Sequence, residues 1–412
     1  MLTAEENILL TQTGPGTPAG DLMRRYWQPV ALSREIPLGG APIPLRILSE
    51  DLVLFRDERG QLGMLGLHCS HRGADLSYGR VEDGGLRCIY HGWLYDPAGR
   101  CLEQPGEPTG STFHERIRHT AYLCQEQGGF VFAYMGPGEP PLLPAYEWLL
   151  APDTHRASDK VFQDCNYLQD TEGNVDPQHL SFLHRFFKPG EAEFRQFYHQ
   201  GDASPTIDPI ETDFGLHVYA IRKVEPDQNF VKVRSFVFPQ WTTVASRGED
   251  GYGVNWQVPI DDEHHWSYSV TFRRHPLDPA VLAENDTDLL PDFHLARNRA
   301  NRYLQNREEM TTKTFAGMGR NFIVHDTFAT EGQGTIHDRT KEQNGYTDRG
   351  IIALRARMLT AIRDVQAGRE APHVVRDPAL NIFPDILARD DLMPQSVAWR
   401  DHWKGARQPV TV

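Results

Sequence analysis

The chain has 412 residues, 39% of them hydrophobic, which is enough for two or three domains with cores of their own. A net charge of −14 argues against nucleic acid as a partner, and five cysteines are too few for a disulfide framework, in keeping with a reducing compartment. No apolar run approaches the roughly 18 residues of a membrane helix, and Met1 to Asn7 lacks the profile of a signal peptide, so a soluble, cytoplasmic protein without membrane contact is expected.

Residues 1–30 read as a helical lead-in, with a turn-rich loop at Gly14–Gly20 and a short amphipathic helix over Asp21–Trp27. The glycines of that loop fit no phosphate-binding spacing, and no strand precedes them. Residues 31–140 read as a small all-β domain. Leu45–Leu48, Leu52–Phe55, Gln61–Leu65 and Gly129–Tyr134 are its clearest strands, and Asp57–Gly60 and Glu82–Gly85 are turns. The proline-rich stretch Gly136–Pro144 reads as a connector. Residues 141–412 form a mixed domain. Strands at Leu216–Ile221, Val231–Phe238 and Tyr268–Phe272 suggest an antiparallel sheet. A helix over Asp348–Val365 carries Ile351, Leu354, Met358, Ile362 and Val365 on one stripe, which is core packing. The fold class is α+β.

Inside the all-β domain lies Cys69-x-His71, then sixteen residues, then Cys88-x-x-His91. Glycines follow each pair, at Gly73 and Gly92. Two metals compete for this set. Zinc takes a tetrahedral Cys2His2 group. A Rieske [2Fe–2S] cluster takes two cysteines on one iron and two histidines on the other. One cysteine and one histidine per loop favours the cluster, because a zinc finger groups its histidines together after the cysteine pair. His68 reads as an ordinary neighbour, and Cys101, Cys124 and Cys165 as buried or idle thiols. Trp93 and Tyr95 are expected to pack around the loops. Arg72, Arg80, Arg87 and Arg100 are offset by Asp75, Glu82, Asp83 and Asp96, so a plain solvated surface is expected rather than a docking patch.

A second constellation is Asp176-x-x-His179-x-x-x-x-His184. Two histidines and a carboxylate make an open ferrous site with positions left for oxygen. His179 and His184 are five residues apart, about 140° around a regular helix. For both to reach one metal, the helix must widen in a π-bulge or end between them. The plainer alternative makes Asp176 the N-cap of a helix starting at Pro177, with the histidines merely packed.

With both motifs present, the chain resembles the oxygenase component of the Rieske non-haem iron oxygenases. It looks most like the phthalate 4,5-dioxygenase group, which also contains aromatic O-demethylases. The resemblance runs through Met1–Trp27, both cysteine-histidine loops, Asn166-x-x-Gln169-x-x-Glu172-Gly173-x-x-Asp176 and Asp326–Arg357. It implies an N-terminal Rieske domain and a helix-grip, START-like catalytic domain. The [2Fe–2S] cluster would be held by Cys69, His71, Cys88 and His91. Mononuclear Fe(II) would be held by His179, His184 and a distant carboxylate, matched here by Asp326. The family often has Gln before that Asp, where this chain has His325. Glu331 and Asp338 are the reserve candidates, by default solvated loop charges.

The resemblance further implies a homotrimer, or a dimer of trimers. The cluster of one protomer would lie beside the iron of the next, with Asp176 accepting hydrogen bonds from His91 of one and His179 of the other. Electrons would come from a separate NAD(P)H-dependent reductase, since the chain has no nicotinamide or flavin fingerprint and no second cysteine set. The implied substrates are O2 and an aromatic acid. Ring hydroxylation and O-demethylation both remain open. A Rieske electron carrier, the alternative of another class, leaves the second constellation unexplained. Inward-facing positions of the strands between residues 216 and 272 are candidates for the pocket. Arg234 reads either as a carboxylate partner or as a surface charge.

Overall fold

Three antiparallel sheets carry the chain in this computed structural model, which describes residues 1–187, 194–245, 250–278 and 288–403. The lead-in forms α1 (Ala4–Thr11) and α2 (Pro18–Met23). In α1 the Thr3 hydroxyl accepts from Glu6 N–H while the Glu6 carboxylate reaches back to Thr3 N–H, a capping box. In α2 Thr17 caps the helix, and Pro18 takes the first position, where a missing N–H is harmless.

The expected helix over Asp21–Trp27 stops at Met23, and Trp27 instead opens β1 (Trp27–Leu32). All six residues of β1 are buried. A run buried on both faces cannot be a one-sided surface helix, and Pro29 fits because β1 is an edge strand with a register shift there.

The first sheet adds β2 (Ile43–Ile47), β3 (Glu50–Arg56), β4 (Leu62–Gly66), and, beyond the cysteine-histidine loops, β9 (Ala121–Gln127) and β10 (Phe130–Tyr134). Their order is β1-β10-β9-β4-β3-β2. The strand expected through Leu48 ends one residue earlier. Leu48 and Ser49, at φ +48° and +65°, make a two-residue turn between β2 and β3. Such turns usually carry Asn-Gly, so this one gave no signal. Its left-handed backbone is held from outside: Leu48 N–H and Ser49 N–H donate to the Pro259 and Ile260 carbonyls, each at 2.9 Å. A second, small sheet contains β5 (Arg80–Glu82), β6 (Gly85–Arg87), β7 (Leu94–Tyr95) and β8 (Cys101–Glu103).

The large sheet follows the connector. It comprises β11 (Arg156–Gln163), β12 (Thr206–Thr212), β13 (Gly215–Glu225), β14 (Gln228–Val237), β15 (Trp241–Ala245), β16 (Gly251–Pro259) and β17 (His265–Arg273), in the order β11-β17-β16-β15-β14-β13-β12, with β18 (Ala388–Pro394) paired to β14. Three helices matter for the site: α3 (Tyr167–Val175), α4 (Phe322–Glu331) and α5 (Arg349–Gln366). Of the stripe expected on α5, Leu354, Met358, Ile362 and Val365 are buried, and Ile351 packs at the margin of the same core. That core is continuous between the domains. The Phe132 ring of β10 lies 6.0 Å from the Trp256 ring of β16, and Phe130 lies 5.9 Å from Tyr268 of β17. Among the described residues, no helix is long and apolar enough to cross a membrane.

Candidate metal centres

The two cysteine-histidine loops share one geometry. The Cys69 carbonyl accepts Gly73 N–H at 2.8 Å, and the Cys88 carbonyl accepts Gly92 N–H at 2.9 Å. Cys69 N–H donates to the Ala74 carbonyl and Cys88 N–H to the Trp93 carbonyl, both at 2.8 Å. Gly73 and Gly92 sit at φ +71° and +76°, left-handed values that explain the glycine after each motif. The result sorts the ligand types. Both cysteines are buried, while His71 and His91 are exposed, their ring centroids 4.4 Å apart. The thiols are close enough that Cys69, after burial, helps push the Cys88 thiol up. One sulfur pole and one nitrogen pole suit two irons better than one tetrahedral zinc.

The surroundings brace these loops. Trp93 stacks on His71 with centroids 4.5 Å apart, and Tyr95 Oη lies 3.2 Å from Cys69 Sγ. His119, which carried no sequence signal, joins Ser70 Oγ to the Gly66 carbonyl at 2.7 Å on each side. Arg87 is not the solvated charge expected. It donates to the Gly92 carbonyl at 2.8 Å and pairs with Glu82, Asp83 and Glu103, so it ties the second loop down. Arg80 and Arg100 do pair with nearby acids, Glu82 and Asp96.

At the second constellation the structure corrects the expected helix. Asp176 is the C-cap of α3, not the N-cap of a new helix: its N–H still donates to the Glu172 carbonyl at 3.1 Å. Its Oδ1 then accepts Gln178 N–H at 2.7 Å, turning the chain over Pro177. His179–Ser181 form a single 3-10 turn that ends before His184. The angular mismatch is thus solved by leaving the helix, without a π-bulge.

Asp326, from α4, meets both imidazoles. His184 Nε2 lies 3.0 Å and His179 Nε2 3.8 Å from Asp326 Oδ1, and one ligand atom from each residue lies within 4.8 Å of the others. Asp176 Oδ2 stands 3.4 Å from the far nitrogen of His179, Nδ1. Burial pushes His184 below its ordinary pKa, with Asp326 offsetting only part. Burial would raise the Asp176 carboxyl, but the His179 hydrogen bond and charge, the Gln178 N–H and nearby Arg234 carry it below the usual range.

The reserve carboxylates do other work. Glu331 is buried rather than solvated: it accepts Asp164 N–H at 3.0 Å and the Tyr303 hydroxyl. Asp338 is the loop charge expected, accepting from Thr340 and paired with Lys341 at 2.9 Å.

Residues 26–118 match the family described as Rieske [2Fe-2S] domain, and residues 133–408 the family described as LigXa C-terminal domain like. The chain is 35% identical to the phthalate 4,5-dioxygenase oxygenase subunit of Pseudomonas putida, over 98% of this chain and 95% of that one. The chain belongs to the Rieske oxygenases, as an oxygenase subunit.

This Rieske oxygenase subunit is also 34% identical to the 5,5'-dehydrodivanillate O-demethylase oxygenase subunit of Sphingobium sp. (strain NBRC 103272 / SYK-6), over 92% of this chain and 85% of that one. It shares its fold with the oxygenase of carbazole 1,9a-dioxygenase, solved in its reduced complex with ferredoxin, at a TM-score of 0.59 and 21% identity, covering 92% and 97% of the two chains. The family uses a [2Fe–2S] cluster and a mononuclear iron, and the donor sets here fit both: sorted sulfur and nitrogen pairs for the first, two imidazoles and a carboxylate for the second.

Two arginines of the Rieske oxygenase's large sheet are buried beside this site. Arg234 of β14, 4% exposed, donates to the Asn174 carbonyl, and its Nε has no partner. The surface-charge reading of Arg234 is therefore overturned. Arg222 of β13 donates to the Pro177 carbonyl at 2.6 Å, while its Nε and Nη1 lack partners; burial pulls its pKa down to about 10. Arg222 escaped the sequence reading because a charge within an alternating strand ordinarily faces water.

Proposed function

We propose that this Rieske oxygenase subunit hydroxylates an aromatic acid, with electrons delivered by a separate protein fed from NAD(P)H. Cys69, His71, Cys88 and His91 would hold the cluster. His179, His184 and Asp326 would hold the lone iron. The observation that carries the reading is the convergence of these last three residues, with Asp176 set behind His179. When bound, the cluster supplies single electrons and the iron supplies open positions for dioxygen.

The protein's own contribution is to position the ligands. Asp176 holds the His179 ring by its far nitrogen, as a ligating imidazole requires. The exposed imidazoles of His71 and His91 support a role for Asp176 across a protomer boundary, in a homotrimer or dimer of trimers, where His91 of a neighbour would be its second donor. Arg234 and Arg222 support an acid as substrate, because a buried guanidinium with an unused N–H is a ready carboxylate partner. A separate electron donor is supported by the ferredoxin complex of the carbazole enzyme, the structural relative.

A second reading, O-demethylation of a methoxylated aromatic acid, is supported by the near-equal identity to the O-demethylase subunit. Both are tested by one experiment. Purified protein is supplied with O2, an artificial reductase and a panel of phthalates, phenoxybenzoates and methoxybenzoates, each beside its analogue without the carboxylate. A ring-hydroxylated product fits the first reading and formaldehyde release the second. Turnover confined to substrates lacking a carboxylate would overturn both. About three irons per chain are expected; about two, with full turnover, would remove the lone-iron assignment.

A further inference from the structure

The residue before Asp326 makes a contact that Asp326 itself cannot. His325 Nδ1 lies 3.2 Å from His184 Nδ1, and His325 Nε2 lies 3.1 Å from the Gly319 carbonyl oxygen. The two rings are nearly parallel, 17° apart, and both are sealed from solvent, at 0% and 2% exposure. The hydrogen positions follow from what each partner can do. A carbonyl oxygen only accepts, so the hydrogen on this side belongs to His325 Nε2. A neutral imidazole carries one ring hydrogen. His325 Nδ1 is then a bare acceptor, and the hydrogen between the rings belongs to His184 Nδ1. His184 Nε2 faces Asp326 Oδ1 at 3.0 Å, and a carboxylate also only accepts, so the two atoms suit a shared cation: with iron bound there, Nε2 would offer its lone pair, and Nδ1 would carry the hydrogen that His325 accepts.

We infer that His325 is a positioning residue that sets the tautomer and ring orientation of His184 as an iron ligand. The inference rests on the reading of His184 as a ligand given above. It makes the two imidazole ligands unequal. His179 is backed by a carboxylate, Asp176, and His184 by a neutral imidazole. A carboxylate behind a ligating ring raises its basicity more than a neutral acceptor does, so His179 is the stronger donor of the two. The relay ends on a fixed point. Gly319 sits at φ +78°, a conformation that favours glycine, and its N–H is held by Glu309 Oε1 at 2.8 Å. One helix, α4, therefore delivers both the third ligand and the brace of the second.

The test compares His325→Gln with His325→Met. The two side chains are alike in length, but only glutamine offers a strong acceptor. Each variant is stripped of the lone iron with its cluster retained, and Co(II) uptake is measured by equilibrium dialysis with metal analysis. Cluster circular dichroism reports that the fold is intact. His325→Met should bind Co(II) about 10- to 100-fold more weakly than the wild type, and His325→Gln should stay within a few-fold of it. Equal weakening in both variants, or none in either, would overturn the inference. If the methionine variant loses its cluster signal, His325→Leu replaces it. His184→Ala separates the two levels of the argument. Loss of Co(II) there with wild-type uptake in His325→Met sinks only the role of His325. Unchanged uptake in His184→Ala sinks the ligand reading beneath it.

Discussion

Arg339 Nη2 stands 2.9 Å from Glu172 Oε2, and neither side chain is more than a few per cent exposed. Glu172 also receives Arg355 of α5, and Arg355 pairs with Glu342, which takes His337 at 3.1 Å. Arg339 Nη1 reaches Asn7 of α1 at 3.2 Å. The last helical turn before Asp176 is therefore tied to the lead-in, to α5 and to the loop between α4 and α5. Removing Arg339 leaves Arg355 alone between two carboxylates, Glu172 and Glu342, so the buried network carries a net negative charge. Arg339→Ala should cost about 3–5 kcal/mol, read as a lowered denaturation midpoint. A change under about 1 kcal/mol would show the network to be dispensable.

Asp326→Ala should remove the lone metal while sparing the cluster, because α4 and the cysteine-histidine loops share no ligand. Iron should fall from about three to about two per chain with inorganic sulfide unchanged. Retained full iron would return Glu331 to consideration.

Asp176→Asn keeps the shape of the turn over Pro177 but exchanges a carboxylate for an amide behind His179. Both metals should stay bound, and turnover should stop. Product formation at the wild-type rate would remove Asp176 from electron delivery.

Tyr95→Phe deletes the hydroxyl 3.2 Å from Cys69 Sγ. A hydrogen bond to a cluster sulfur favours the reduced, more negative state, so its loss should lower the reduction potential. A redox titration followed by circular dichroism would read the change. An unmoved potential would mean that the hydroxyl points elsewhere.

His373 gives a pH dependence with a definite sign. Burial pulls its pKa down to about 4, and its Nε2 faces the Tyr146 hydroxyl at 2.8 Å. The unfolded chain takes up the proton first, near pH 6.5. The contribution of the neutral ring is fully present above that value and is lost as pH falls towards 4, at a rate of up to about tenfold in the unfolding constant per pH unit. Urea midpoints across this window should fall, and His373→Phe should flatten part of the slope. An identical slope in the variant would place the effect on other histidines.

The parts of the protein that could be read in advance are those made by neighbours in the chain. Each cysteine-histidine loop closes on itself through a bond from residue i to residue i+4 with a glycine at the corner, so spacing alone identifies it. The α5 stripe was legible for the same reason. The hairpin turn at Leu48–Ser49 was not, because its left-handed backbone is held by Pro259 and Ile260 in the other domain. Asp176 had good N-cap chemistry and still became a C-cap, because α3 already ran through the residues before it.

The sequence by itself determined the two cysteine-histidine loops, the family, and the spacing that sets Asp176 and His179 three residues apart. Those are short-range matters of spacing and side-chain chemistry. Only the tertiary structure decided which distant carboxylate meets the histidines, that His325 backs His184 across 141 positions, and that Arg222 and Arg234 lie inside. Each of these depends on how α4 and the large sheet pack against α3. Packing is set by the sum of many weak contacts far apart in the chain, and no local pattern records that sum.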